Sequence, residues 1–253
     1  EITGASLFWH KTLANSSFEA AQSLLAGQKV SKIGRKAKYI LIQLDKLVLI
    51  IHLRMSGDLR LALKLGEPRT SDPLLAHDRF YLHFSSAWGL AFNDPRKFGR
   101  IWLTKDPSAI LPRLGPDPFD PKLDAGCFYQ MLQSKARQIK PLLMDQAFLG
   151  GVGNIYSTEA LFEAKLHPLQ NSRYITFKEA ETLLSALRSV LQAGIEHNGT
   201  SVDWVYKGGD FQKYLKAYQK TGQPCPDCNT AIEAIRMGQR NAHFCPRCQQ
   251  IHT

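Results

Sequence analysis

Two cysteine pairs near the end of the chain constrain its fold more than any other feature. Cys225-Pro-Asp-Cys228 and Cys245-Pro-Arg-Cys248 are separated by sixteen residues. That is the spacing of a closed four-thiolate zinc site, in which two knuckles complete a tetrahedron and the chain between them forms a hairpin. No ligand position is left for water, so the expected role is structural, with one Zn ion held by Cys225, Cys228, Cys245 and Cys248. So small a module buries too little surface to fold alone, and metal binding supplies its folding free energy. A redox pair is the weaker alternative, because neither motif opens a helix. The hairpin carries Arg236, Arg240 and Arg247, with Gln239-Arg240-Asn241 at its expected tip. An arginine there can clamp a phosphate or simply be a solvated turn. The fifth cysteine, Cys127, reads as a small buried apolar residue.

The 253 residues allow two compact domains or one large one. Lys and Arg number 32 against 22 Asp and Glu, a net charge of +10. That surplus suits a polyanionic partner such as nucleic acid, although a basic protein without one shows the same balance. No apolar run approaches the roughly 18 residues of a membrane span, and no signal segment opens the chain, so the expectation is a soluble cytoplasmic protein.

From Lys38 to Leu103 the pattern is that of strands. Tyr39–Leu44 and Leu47–Leu53 flank Asp45-Lys46 as a hairpin, and Arg79–Phe84, Trp88–Phe92 and Gly99–Leu103 follow. The expected product is an antiparallel meander closed into a sandwich or flattened barrel. Pro112–Pro121 holds four prolines and a glycine and reads as a linker. The period then becomes helical: Asp124–Gln133, Lys140–Phe148, a glycine turn at Gly150-Gly-Val-Gly153, then Asn154–Ala164. Thr176-Phe-Lys-Glu179 has capping-box form before a helix expected to end near Gly194. The fold class is therefore α+β: an N-terminal antiparallel β-sandwich, then a helical domain with a four-cysteine zinc β-hairpin.

Six separated segments resemble a single family. They are His52-Leu-Arg-Met-Ser-Gly57, Asp94-Pro-Arg-Lys-Phe-Gly99, Leu114-Gly-Pro-Asp-Pro118, Ile139-Lys-Pro-Leu-Leu-Met-Asp145, Gly151-Val-Gly-Asn-Ile-Tyr156 and the cysteine tail. In order and approximate spacing they are similar to the bacterial formamidopyrimidine-DNA glycosylases. The resemblance implies a β-sandwich domain over 1–111 and a linker over 112–121. It further implies a helix–two-turns–helix domain over 122–200, a lesion-capping loop and connection over 201–222, and a zinc hairpin over 223–253. It implies damaged double-stranded DNA as partner, a monomer, and action at the bacterial nucleoid. The activity implied is excision of 8-oxoguanine and formamidopyrimidines by base flipping, N-glycosidic cleavage and β,δ-elimination at the abasic site.

Flipping leaves a hole in the base stack that inserted side chains must fill. Met55, Arg96 and Phe98 match the family's void-filling trio: two apolar wedges, and an arginine able to donate to the orphaned cytosine. Implied backbone contacts fall on Lys38, His52, Asn154 and Arg240, with His77 and Lys135 in less similar surroundings. Asn154 lies where the glycine turn feeds a helix and can face an anion there, or act as a plain N-cap. Lys38 and Arg240 match the proton donors of the two elimination steps. The trio favours the oxidised-purine branch over the endonuclease VIII branch for oxidised pyrimidines, and Gly208-Gly-Asp-Phe-Gln212 loosely resembles the purine branch's capping loop.

One departure matters. The family opens Pro-Glu-Leu-Pro-Glu-Val-Glu and uses the proline amine as nucleophile and the glutamate as proton shuttle. Glu1-Ile-Thr-Gly-Ala-Ser-Leu resembles instead the stretch after the family's first helix, so Glu1 is not that glutamate. The expectation is a fragment of an active bifunctional glycosylase/AP lyase, inactive by itself. The alternative is a natural, non-catalytic damage-binding relative.

Overall fold

The computed structural model describes residues 1–63, 75–201 and 208–252. The chain divides into two compact units, one of Glu1–Pro112 and one of the described residues from Arg113 onward.

The first unit is built on two four-stranded antiparallel sheets. Its elements are β1 (Ile2–Leu7), α1 (Phe18–Leu25), β2 (Val30–Lys36), β3 (Tyr39–Leu44), β4 (Val48–His52), β5 (Asp58–Leu63), β6 (Asp78–Phe84), β7 (Trp88–Asn93) and β8 (Arg100–Thr104). One sheet has the order β1-β6-β7-β5 and the other β2-β3-β4-β8. Ile2, Phe80, Leu82 and Phe92 from the first meet Ile42, Leu49, Ile51 and Ile101 from the second in one core, with Ala21 and Leu25 of α1. The sandwich is thus present, but it is not a simple meander. β8 leaves β7 and pairs with β4 in the opposite sheet, Ile51 facing Ile101. Alternation reports which faces a strand buries and not which neighbour it pairs with. β4 is central, and Val48–Ile51 are buried on both faces, hence the unbroken apolar run.

The second unit contains α2 (Ala125–Gln133), α3 (Ile139–Met144), α4 (Asn154–Glu163), α5 (Phe177–Glu196) and the hairpin β9 (Glu233–Met237) and β10 (Arg240–Phe244). Phe128, Leu132, Leu142, Leu143, Leu161, Leu183 and Leu187 form its core. Thr176 and Glu179 make the reciprocal capping box that starts α5. That helix ends at Glu196, near the expected Gly194, and residue 194 is a glycine because a Cβ there would sit 2.4 Å from the Tyr156 hydroxyl. Gly115 is likewise a close approach, since a Cβ there would meet the Phe148 carbonyl at 2.3 Å. Cys127 is exposed and not buried: it occupies the first turn of α2, where its N–H donates to the Asp124 cap at 2.7 Å. The Asp124 carboxylate also holds its thiol above the ordinary range, which suits neither a nucleophile nor a core residue. Among the described residues no helix is long and apolar enough to cross a membrane.

Candidate nucleic-acid interface and metal centre

In the first unit the two turns bearing Met55 and Arg96-Lys-Phe98 lie side by side, since the Arg96 N–H donates to the Ser56 hydroxyl at 3.3 Å. Met55 and Phe98 are 63% and 48% exposed, although both are large and apolar. Each is preceded by a non-glycine residue in the left-handed region, Arg54 at φ 57° and Lys97 at φ 62°. That backbone is uncommon for long side chains and is kept only where surrounding contacts over-determine it. The Lys97 ammonium sits 4.0 Å over the Trp9 ring, and the Arg96 guanidinium 5.2 Å from the Phe98 ring centre. His77 joins the group through its backbone, its carbonyl accepting the Asp94 N–H at 2.9 Å. Two exposed apolar side chains, two cations and the His77 backbone thus share one region of this unit.

His52 ends β4, its ring packed edge-on to Tyr39 at 4.7 Å. Its Nδ1 accepts the Arg54 N–H at 2.9 Å, which leaves the proton on Nε2 as a donor. Burial, then Arg54 and then Lys38, bring its pKa down to about 4. It is therefore neutral at physiological pH and offers a hydrogen bond without a charge.

In the second unit Asn154 is the first residue of α4 and not its cap, which is Gly153. The Asn154 side-chain oxygen is buried without a protein partner. Beneath it lies Lys140, 1% exposed, which donates to the Asn154 carbonyl at 3.3 Å and to the hydroxyls of Ser157 and Thr158. Burial and then the charge of Arg240 lower the Lys140 pKa to about 7, with Glu159 opposing. Arg240 opens β10, beside the tip at Gly238 and Gln239. Asn154, Lys140 and Arg240 therefore gather at the N-terminus of α4, where the helix dipole favours an anion. Lys135 lines a recess with Arg137, Asp145, Pro116 and Phe148, and Asp145 holds Arg137 at 2.8 Å.

The four cysteine sulfurs lie within 4.8 Å of one another. Cys225 to Cys248 is 4.0 Å and Cys228 to Cys245 is 3.4 Å. A tetrahedral zinc with bonds of about 2.3 Å needs sulfurs about 3.8 Å apart, so the donor set fits one structural zinc ion. Gln249 accepts the Cys245 N–H at 2.8 Å and donates to the Leu166 carbonyl at 2.8 Å, tying the knuckle to the turn that follows α4.

Four contributors were not legible in the sequence: Lys140, Glu159, and the Ser56–Asp94 pair. Lys140 and Asp94 lie in segments quoted above, but a lysine or an aspartate ordinarily belongs on the surface. Nothing in the spacing marks these as buried. Of the 201–222 segment, residues 202–207 lie outside the described residues.

Three family descriptions match: the formamidopyrimidine-DNA glycosylase N-terminal domain over residues 1–101, its H2TH domain over 114–205, and the zinc finger found in FPG and IleRS over 222–251. The chain belongs to the formamidopyrimidine-DNA glycosylase family. It is 40% identical to the formamidopyrimidine-DNA glycosylase of Herpetosiphon aurantiacus, covering 96% of this chain and 90% of that one. It is 36% identical to that of Protochlamydia amoebophila, covering 99% and 92%. Among solved structures it resembles Lactococcus lactis Fpg in complex with abasic-site DNA, and the same enzyme with Fapy-dG DNA. Each match has a TM-score of 0.86 and 32% identity, over 99% of this chain and 92% of the other.

Proposed function

We propose that this chain carries the lesion-handling machinery of a base-excision enzyme that removes oxidised purines, 8-oxoguanine and formamidopyrimidines, from duplex DNA. The observation that carries the reading is the pair of exposed apolar side chains, Met55 and Phe98, on adjoining turns with Arg96 between them. Single exposed apolar side chains are ordinary, but two on adjoining turns form a patch. Two of them on strained turns suit insertion into an unstacked base step, and Arg96 suits a cytosine left without its partner. In this reading Lys38, His52, His77, Lys135, Asn154 and Arg240 hold the backbone on either side. Neutral His52 donates a hydrogen bond, and Asn154 presents the start of α4 to a phosphate. Lys38 and Arg240 supply protons in the two eliminations. The domain roles follow those expected over 1–111, 112–121, 122–200, 201–222 and 223–253. The zinc fixes the hairpin that bears Arg240 and takes no part in bond breaking. In the family, attack at C1′ and Schiff-base formation belong to the proline amine of the Pro-Glu opening.

Borohydride trapping on a duplex with 8-oxoguanine opposite cytosine tests this, using the natural gene product with whatever precedes Glu1 and, beside it, the 253-residue chain. A covalent adduct from the natural product supports a glycosylase/lyase. Absence of an adduct, with lesion-selective binding retained, replaces it with a damage-binding protein. Trapping only on oxidised pyrimidines places it with the endonuclease VIII branch.

A further inference from the structure

We propose that Ser56 and Asp94 are positioning residues that hold the void-filling side chains in a preformed arrangement. This rests on the trio reading above and adds the device that sets its geometry. Asp94 is 1% exposed and Ser56 2%, yet they belong to the turns that carry the exposed Met55 and Phe98. One Asp94 carboxylate oxygen accepts the Ser56 hydroxyl, and the other accepts the Gly99 N–H at 2.7 Å. The Ser56 oxygen in turn accepts the Arg96 N–H at 3.3 Å. The Asp94 carbonyl accepts the Arg79 guanidinium at 2.8 Å and the Lys97 N–H at 3.3 Å, and its N–H donates to the His77 carbonyl at 2.9 Å. Five of these six bonds end on Asp94, and together they join the turn of Met55, the turn of Arg96 and Phe98, and His77.

A buried carboxylate is an expensive way to join two turns if stability alone is at stake, because apolar packing of similar volume does as well. Charge-assisted hydrogen bonds fix direction in a way that apolar contacts do not. Direction is what wedges need. Arg54 and Lys97 stand in the left-handed region immediately before Met55 and Phe98, so either turn relaxes if its ties are cut. A relaxed turn must be reordered when the base leaves the stack, and binding loses that ordering free energy. The brace acts through Met55, Arg96 and Phe98 and touches no DNA itself, so its removal alters selectivity and not general DNA affinity.

The test measures equilibrium binding by fluorescence anisotropy to three duplexes: a tetrahydrofuran abasic site opposite cytosine, the same site opposite adenine, and undamaged DNA. The variants are Ser56→Ala, Ser56→Thr, Asp94→Asn and Met55→Ala, each checked by thermal melting. Ser56→Ala is expected to lower the abasic-over-undamaged ratio and the cytosine-over-adenine ratio by about fivefold to tenfold, the worth of one or two lost hydrogen bonds. Undamaged-duplex affinity stays the same. Ser56→Thr, which keeps the hydroxyl, restores both ratios, and Asp94→Asn lowers them as Ser56→Ala does. Ratios unchanged in Ser56→Ala and Asp94→Asn, with Met55→Ala defective, overturn the brace and leave the trio standing. Ratios unchanged in Met55→Ala as well overturn the trio reading and the brace with it.

Discussion

Glu159 in α4 is nearly fully buried, and its carboxylate accepts three backbone N–H groups from the segment that leads into the zinc hairpin. Oε2 takes Lys216 at 2.8 Å, and Oε1 takes Ala217 at 3.1 Å and Tyr218 at 2.7 Å. Burial raises its pKa, and the three amides work against that rise. Glu159→Gln has the same shape but one acceptor oxygen. Placed at Oε1, that oxygen keeps Ala217 and Tyr218, while the amide nitrogen meets the Lys216 N–H donor to donor. One charge-assisted bond is lost and one part-buried N–H is left unmatched, a cost of about 2 kcal/mol. For a protein of this size that lowers Tm by about 4–8 °C. Glu159→Ala strands all three amides and costs at least about 3 kcal/mol. The assay is scanning calorimetry of zinc-saturated protein, with zinc release followed by a chelating dye, because Ala217 of that segment packs in one cluster with Cys225 and Cys245. Release is expected to be faster in both variants and fastest in Glu159→Ala. A Gln variant that melts within about 1 °C of the parent would refute the claim that this carboxylate is the docking point of the hairpin.

Two further predictions concern charge. The Lys140 pKa of about 7 lies below its ordinary 10.5, so between those values the unfolded chain holds a proton that the folded chain lacks. Stability should therefore rise with pH between about 7 and 10.5, by up to about 1.4 kcal/mol per pH unit, and level off below 7, where both states hold the proton. Denaturant titrations across pH 6–9 of parent and Lys140→Met test this, and an equal slope in both refutes it. The neutral His52 and the cationic Arg240 should separate in salt titrations of DNA binding. Arg240→Ala lowers the slope of log K against log salt by about 0.9, whereas His52→Ala weakens binding about threefold to tenfold without changing the slope. A slope change in the His52 variant would show that it binds as imidazolium.

Much of the architecture was legible from local chemistry. Cysteine spacing determines the hairpin because four thiolates around one ion leave little freedom, and the sulfurs do cluster. The capping box at Thr176 and Glu179 fixes the start of α5 because its hydrogen bonds span only three residues. Motif resemblance reached Met55, Arg96 and Phe98, whose exposure agrees with a surface role.

What escaped the sequence depends on partners far apart in the chain. That β8 pairs with β4, that Gly194 leaves room for Tyr156, and that Cys127 faces solvent are decided by which surfaces meet. The Ser56 hydroxyl reaches Asp94 across 38 residues, and Glu159 reaches Tyr218 across 59. Residue type and spacing report a side chain's local preference. Burial of a charge is permitted only by the particular donors that the fold brings to it, and those exist only once the tertiary structure has formed.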